Sequence, residues 1–257
     1  MFMPSKLGNS SSIKTLNVLE YLSKQVEPVS ASKIATGLGM ERASVYRSLY
    51  SLVETGFVIK TLGASTYILS VKTHLLSRTV EKILDGNKYI DECVSEISNK
   101  LGDHCLVTTQ EGADAVVVHA VFYDHGGDIA YGVGARGKIF CTAAGKALIS
   151  KKPMHVTSEI LKEGLSKQTD RTLTDPFKYL KVLEKCKEDN FALDIGEAIE
   201  GINCISVPIY DPLSKNVYAI TMVGTDNNLP KKIAIENANY IKEQIKGLEQ
   251  KLQNSGT

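Results

Sequence analysis

The sequence predicts an α+β chain: a small helical unit in front, then a larger domain built on a largely antiparallel sheet. Three observations carry this. Apolar residues recur at helical spacing in three short segments before residue 55, punctuated by Pro28, Gly39 and Gly56. Farther on, β-like runs come in pairs, with helical stretches before, between and after them. Finally, 257 residues with 43% hydrophobic and 23% charged suit one large or two ordinary globular domains. That composition excludes a disordered or fibrous chain.

The first helix is expected near Ile13–Leu22, where Ile13, Leu16, Leu19 and Leu22 repeat every three residues beside Val18. Ser30 can cap a second helix, its hydroxyl accepting from a first-turn amide, with Ile34, Ala35 and Leu38 inward. A third helix, about Glu41–Glu54, carries Val45, Leu49 and Leu52 on one face and ends at Gly56. Ala35 is small where two helices approach, Gly39 permits a sharp turn, and Val45 plugs the crossing. This spacing marks a helix-turn-helix, whose second helix enters a DNA major groove; an ordinary helical hairpin is the plainer alternative. With Val45 inward, about 100° per residue places Ala43, Arg47, Tyr50 and Glu54 outward. Arg42, Ser44 and Tyr46 lie near the helix start or on its flank. These side chains suit phosphate oxygens and base edges. Two short β-like runs, Phe57–Thr61 and Thr66–Leu69, then form a hairpin wing with a small polar tip. The expected DNA contacts are Ser32, Lys33, Arg42, Ala43, Ser44, Tyr46, Arg47 and Tyr50, with Ser65 and Thr66 of the wing.

Charge agrees. The net charge is only +1, but residues 1–72 hold eight basic and four acidic residues, leaving a front of +4 on a body of −3. Only the front is suited to a polyanion.

A helical stripe from Val71 through Leu75, Leu76, Thr79, Val80, Ile83 and Leu84 connects the halves, and its apolar face suggests cover by a second subunit. Ile90, Val94, Ile97 and Leu101 define the next helix, closed by Gly102. Strands are expected at Cys105–Thr109, Ala115–Phe122, about Ile129–Gly134, Phe191–Ile195, Ile202–Ile209 and Val217–Val223. Helices are expected at Thr142–Ile149 and Pro176–Asp189. Pro208 calls for an edge or a bulge. A last helix, with Ala234, Ala238, Ile241, Ile245, Leu248 and Leu252 at a/d spacing, should lie on the sheet.

The run Leu19–Leu69 resembles the winged helix of the IclR family of transcriptional regulators. It carries Ser30-x-x-x-Ile34-Ala35, Gly39, Ser44-Val45-Tyr46-Arg47, Gly56-Phe57-Val58 and Tyr67-x-Leu69. Cys141-Thr142-Ala143-Ala144-Gly145-Lys146-Ala147 is similar to that family's A-x-G-K-A motif, and the segment Phe191–Asp211 to its other signature. The likeness spans roughly Ile13 to Leu248. Ala43 stands where many members carry Ser, Lys33 where an acidic residue would complete a capping box, and Gly196 where Glu or Asp is common. The resemblance implies a winged helix-turn-helix DNA-binding domain over 1–70, a linker helix over 71–86, and an effector-binding and oligomerisation domain over 87–257. The last would have a GAF or profilin-like antiparallel sheet.

It also implies an effector pocket lined by Ile139, Thr142, Ala143, Ala144, Asp194, Glu197, Ile202, Cys204, Thr221 and Val223. Thr142 can cap a helix whose small first residues let a carboxylate reach backbone amides; tight packing of that helix start is the alternative. Asp194 and Glu197 could accept from ligand hydroxyls or simply bond their own loop. Lys146 is read as solvated or structural. The implied partners are a palindromic operator in double-stranded DNA, a small organic acid, and a second copy, with dimers able to pair further; no cofactor is expected. The expected role is a regulator, more readily a repressor.

The five cysteines, Cys93, Cys105, Cys141, Cys186 and Cys204, are scattered and never form C-x-x-C, so reduced thiols are expected. Met1–Lys14 has no apolar core of signal-peptide length, and a cytoplasmic protein is expected. An enzyme using Cys141 or Cys204, with His104, His119 or His125, is the alternative. No pair has metal-ligand spacing and no nucleophile elbow appears, though a metal at Cys204 and Asp194 stays open. A winged-helix protein adaptor fits the outward Arg47 less well.

Overall fold

The computed structural model describes residues 10–76, 88–123, 132–212 and 215–255. It divides into two compact units, Met1–Ile83 and Leu84–Thr257.

The first unit holds α1 (Ser11–Ser23), β1 (Val29–Ser30), α2 (Ala31–Leu38), α3 (Arg42–Glu54), β2 (Val58–Lys60) and β3 (Thr66–Leu69). Ser10 caps α1 and Ser30 caps α2, each hydroxyl accepting from the amide three residues on. At the end of α2, Gly39 sits at φ 61° and ψ 31°, the left-handed geometry that lets α3 leave at a sharp angle. Val18, Leu22, Ile34, Ala35, Val45, Leu49 and Leu52 share one core with Val58 and Tyr67. The hairpin forms as expected, but its sheet has three strands in the order β1-β3-β2. The extra strand is two residues long, too short for a periodic signal.

After a 3-10 turn, Val71–Thr73, residues 74–76 are helical, and the described chain stops there. Val71, Leu75 and Leu76 are exposed. The remaining stripe residues, Thr79, Val80, Ile83 and Leu84, lie outside the described residues, as does the start of the strand expected at Ile129–Gly134; the described end of that segment, 132–134, is a turn, and the strand begins only at Arg136.

The second unit contains α4 (Lys88–Leu101), β4 (His104–Glu111), β5 (Asp114–Val121), β6 (Arg136–Lys138), α5 (Ala143–Ser150), α6 (Met154–Glu163), α7 (Pro176–Asp189), β7 (Ala192–Ile195), β8 (Ile202–Asp211), β9 (Asn216–Thr225) and α8 (Lys231–Ser255). Its six strands run β6-β5-β4-β9-β8-β7, each pair antiparallel. Alternation sorts side chains between two faces. Ile205, Val207, Ile209, Tyr218, Ile220 and Met222 meet α4 and the a/d stripe of α8. Cys204, Ser206, Thr221 and Val223 therefore point the other way, toward α5. Pro208 lies in a central strand, opposite Ala219 of β9, but β7 pairs with β8 only as far as Ser206. The missing amide hydrogen thus removes no ladder bond on that side.

Helix α5 leans on the preceding loop. A Cβ built on Gly145 would lie 1.9 Å from the Ile139 carbonyl oxygen, an approach only glycine allows. Ala for Gly inside a helix ordinarily gains up to about 1 kcal/mol. Here the overlap outweighs it: Gly145→Ala should destabilise the second unit by about 1–3 kcal/mol or more in chemical unfolding. A stabilised variant would contradict this packing.

Candidate functional site

Two surfaces gather the residues singled out above, one in each unit.

In the first unit, α3 buries Ser44, Val45, Ser48, Leu49 and Leu52. The stripe fixes what remains outside: Arg42, Ala43, Tyr46, Arg47, Tyr50, Ser51 and Glu54 are exposed. Of the expected contacts, Lys33 and Ser65 are exposed, and Ser32 and Thr66 half-buried. Ser44 is the correction: it is 4% exposed, and its hydroxyl accepts from Arg47 Nη2 at 3.1 Å. Its neighbour Val45 is the deepest side chain of α3, and one step of a helix does not carry Ser44 clear of the core. Ser44 thus holds the arginine instead of facing solvent.

Thr15 Oγ1 donates to Ser48 Oγ at 3.2 Å, tying α1 to α3. The wing is braced at its base by hydrogen bonds between Thr61 and Thr66 and turns through Gly63, at φ 75°. A groove of about 670 Å³ runs along α3, lined by Ser11, Tyr46, Arg47, Tyr50, Lys60 and Tyr67 among others. Two cations and three phenols along one open groove suit a polyanionic strand with stacked bases. Lys72, not among the expected site residues, donates to the Thr55 carbonyl at 2.6 Å and lies over the Phe57 ring. It satisfies the carbonyl end of α3, where a cation complements the helix dipole.

In the second unit, the strand register aligns Asp194, Cys204, Val223 and His104 in one row across β7, β8, β9 and β4, with Ser206, Thr221 and Leu106 in the next. Ala143, Cys204 and Val223 pack with Leu106 and Val117 in one cluster, bordered by Ile202. Six expected pocket residues, counting Thr221 and Asp194, therefore share one side of the sheet. The Thr221 hydroxyl pairs with Ser206 at 2.9 Å. Thr142 caps α5, its hydroxyl accepting from Gly145 N–H at 3.1 Å.

Others are placed differently. Ala144 packs with Ala147, Leu148, Cys186 and Ala192, and Ile139 with Phe140, Ile149 and Tyr179, both outside that cluster. One helical step turns Ala144 away from the side that Ala143 faces. A cavity of about 200 Å³ does touch Ile139, but its other walls come from Ala113, Lys138, Phe140, the end of α6 and the residues just after it, Gly164 and Ser166.

Asp194 lies within β7, not on the loop, and its Oδ1 accepts from Glu197 N–H at 2.7 Å and Ala198 N–H at 3.3 Å. The loop is held from its other side by Thr169 and Thr172, which donate to the Gly196 and Glu197 carbonyls. Gly196 has φ 67°, so a backbone in the left-handed region accounts for glycine there. Lys146 is 1% exposed and pairs with Glu197 Oε1 at 2.5 Å. A solvated lysine is thus ruled out. The Tyr179 hydroxyl and Glu197 Oε2 are buried with no hydrogen-bond partner among the described residues.

Burial drives the thiols upward, Cys141 to about 12 and Cys204 well above its usual value, with the Asp194 charge reinforcing both. Such thiols stay protonated and unreactive at neutral pH. Among the described residues no group of three His, Cys, Asp or Glu could hold a metal ion, and no helix is long and apolar enough to cross a membrane.

Residues 83–252 match the bacterial transcriptional regulator IclR C-terminal domain, and residues 12–61 match the IclR helix-turn-helix domain. The chain is similar to the HTH-type transcriptional regulator KdgR of Escherichia coli: 25% identity over 204 residues, 79% of this chain and 77% of the relative. It also resembles the HTH-type transcriptional repressor AllR of the same species, 23% identical over 232 residues, 90% of this chain and 86% of the relative. Among solved structures, an IclR homologue of Microbacterium hydrocarbonoxydans complexed with 4-hydroxybenzoate superposes with a TM-score of 0.75. Its sequence identity is 17%, over 95% of this chain and 100% of that one.

Burial raises the Asp194 carboxyl from 3.8 to about 6, against the opposing pull of Lys146 and the Glu197 amide. The folded state therefore favours the acid form. The stabilisation is complete below pH 3.8 and is lost as pH rises through about 6. Asp194→Asn should remove its share of that fall, up to about 3 kcal/mol between pH 4 and 7, in chemical denaturation of the second unit. An unaltered pH profile would contradict the buried placement.

Proposed function

The chain belongs to the IclR family of bacterial transcriptional regulators, and on that premise we propose that it is a repressor whose grip on DNA is set by a small organic acid. The exposed face of α3 carries this reading, because the buried stripe leaves Arg42, Tyr46, Arg47 and Tyr50 as the side chains a duplex would meet. Lys33 of α2 and Ser65 and Thr66 of the wing flank it as phosphate contacts. Ser44 acts indirectly by aiming Arg47. One winged helix covers few base pairs, so two copies on a palindromic operator give useful specificity, and such dimers can pair again. The repressor role is favoured by the likeness to AllR, named a repressor.

The effector site is the second face of the sheet at α5. Ala143, Ile202, Cys204, Thr221 and Val223 form its wall, with Thr142, Asp194 and Glu197 at its polar margin. A carboxylate suits the start of α5, where the dipole adds partial positive charge. The related protein complexed with 4-hydroxybenzoate favours the same class of ligand. The acid shifts the relative placement of two readers only by binding one arrangement more tightly. The alternative reading, a thiol or metal enzyme, is disfavoured by the elevated cysteine thiols.

Arg47→Ala should weaken operator binding at least about tenfold in mobility-shift assays, the worth of a charge-assisted hydrogen bond, without altering the circular dichroism. Unchanged shifts would refute the placement of α3 in the groove. In thermal-shift screening against carboxylic acids, Ala143→Trp and Asp194→Ala should lose any response the parent protein shows. If both respond like the parent, the effector site lies elsewhere.

A further inference from the structure

We infer that the front unit reads A·T pairs by the 5-methyl group of thymine, through Ala43, Tyr46 and Tyr50 of α3. The inference rests on the DNA-binding reading above and deepens it. Helix α3 has the sequence RASVYRSLYSLVE, with no asparagine or glutamine. The paired amide contact that identifies adenine is therefore absent from the helix. Its paired hydrogen-bonding base readers are two arginines, which select guanine, and one of them is already steadied by Ser44; the exposed hydroxyls of Tyr46, Tyr50 and Ser51 offer only single bonds, which discriminate weakly. The strongest remaining way for α3 to discriminate A·T pairs is the apolar feature that only they offer in the major groove, the thymine methyl.

The exposed face supplies matching surface. Tyr46 and Tyr50 are 51% and 69% exposed although both belong to a helix with a well-packed inner stripe. Ala43, also exposed, lies one turn before Tyr46 and two before Tyr50. The three form a row about 10 Å long at 1.5 Å per residue. That length matches about three base-pair steps of duplex. Arg47 and Lys60 line the same groove as the two rings, so cations stand beside the apolar row where a phosphate strand would run. A tyrosine could instead serve through its hydroxyl, bonding a phosphate or a base edge. The Phe variants separate the two roles.

The test uses the full-length chain. Duplexes are enriched from a random pool, and each thymine of the enriched site is replaced singly by uracil, which lacks only the methyl. At contacted positions uracil should weaken binding about fourfold, the worth of one buried carbon. Tyr46→Phe and Tyr50→Phe should keep that difference, while Tyr46→Ser and Tyr50→Ser should erase it at their own positions. Enriched sites without thymine, indifference to uracil throughout, or Phe variants as impaired as the Ser variants would each overturn the inference while leaving DNA binding intact. Enrichment of no duplex at all would overturn the regulator reading itself.

Discussion

The seating of α3 is the constraint on which the DNA-facing half depends. A helix of thirteen residues has one stripe to bury, and Val45, Leu49 and Leu52 occupy it against α1 and α2. Once these three are inside, geometry alone decides that Arg47 and Tyr50 are outside. The turn at Gly39 sets the angle, and the Thr15–Ser48 bond sets the rotation. Lys72 extends this control to the other end, since the residue that bonds the Thr55 carbonyl, at the C-terminal cap of α3, belongs to the start of the connector.

The second unit divides its labour between the faces of one sheet. Under α4 and α8 the side chains are almost wholly aliphatic, as a stability-bearing face should be. On the α5 side they are smaller and more polar, and the buried Lys146–Glu197 pair stands nearby. Such a pair adds little net stability against its desolvation, yet removing one partner strands a buried charge. Its evident effect is geometric: it ties α5, whose start holds Ala143 and the capping Thr142, to Glu197 on the loop that leaves β7 just after Asp194.

Much of this was legible in the residues. Helical spacing placed α1 to α3, Ser30 and Thr142 marked real caps, and the a/d stripe of Ala234–Leu252 proved to be a face on a sheet. What escaped has physical reasons. Lysine is almost never fully buried, so the solvated and structural readings of Lys146 stayed side by side until its carboxylate partner, distant in sequence, was in view. Ser44 falls at the start or flank of the helix, where a hydroxyl suits phosphate, but its burial beside Val45 and its bond to Arg47 are tertiary facts. Gly145 suggested room for a ligand, whereas the room is filled by the Ile139 carbonyl. Helix α6 had signals that could have found it: Pro153 at its cap, Val156 and Ile160 four apart, and Gly164 at its end. Gly37 had none, since only the fold brings the Tyr21 ring within 2.4 Å of its missing Cβ.

Salt titration of duplex binding addresses the central claim most directly. If Arg42, Arg47, Lys33 and Lys60 displace counterions from phosphates, log affinity should fall linearly with log salt, with a slope of about −4 or steeper for the assembled protein. A slope near zero, or indifference to duplex at 50 mM salt or below, would contradict it.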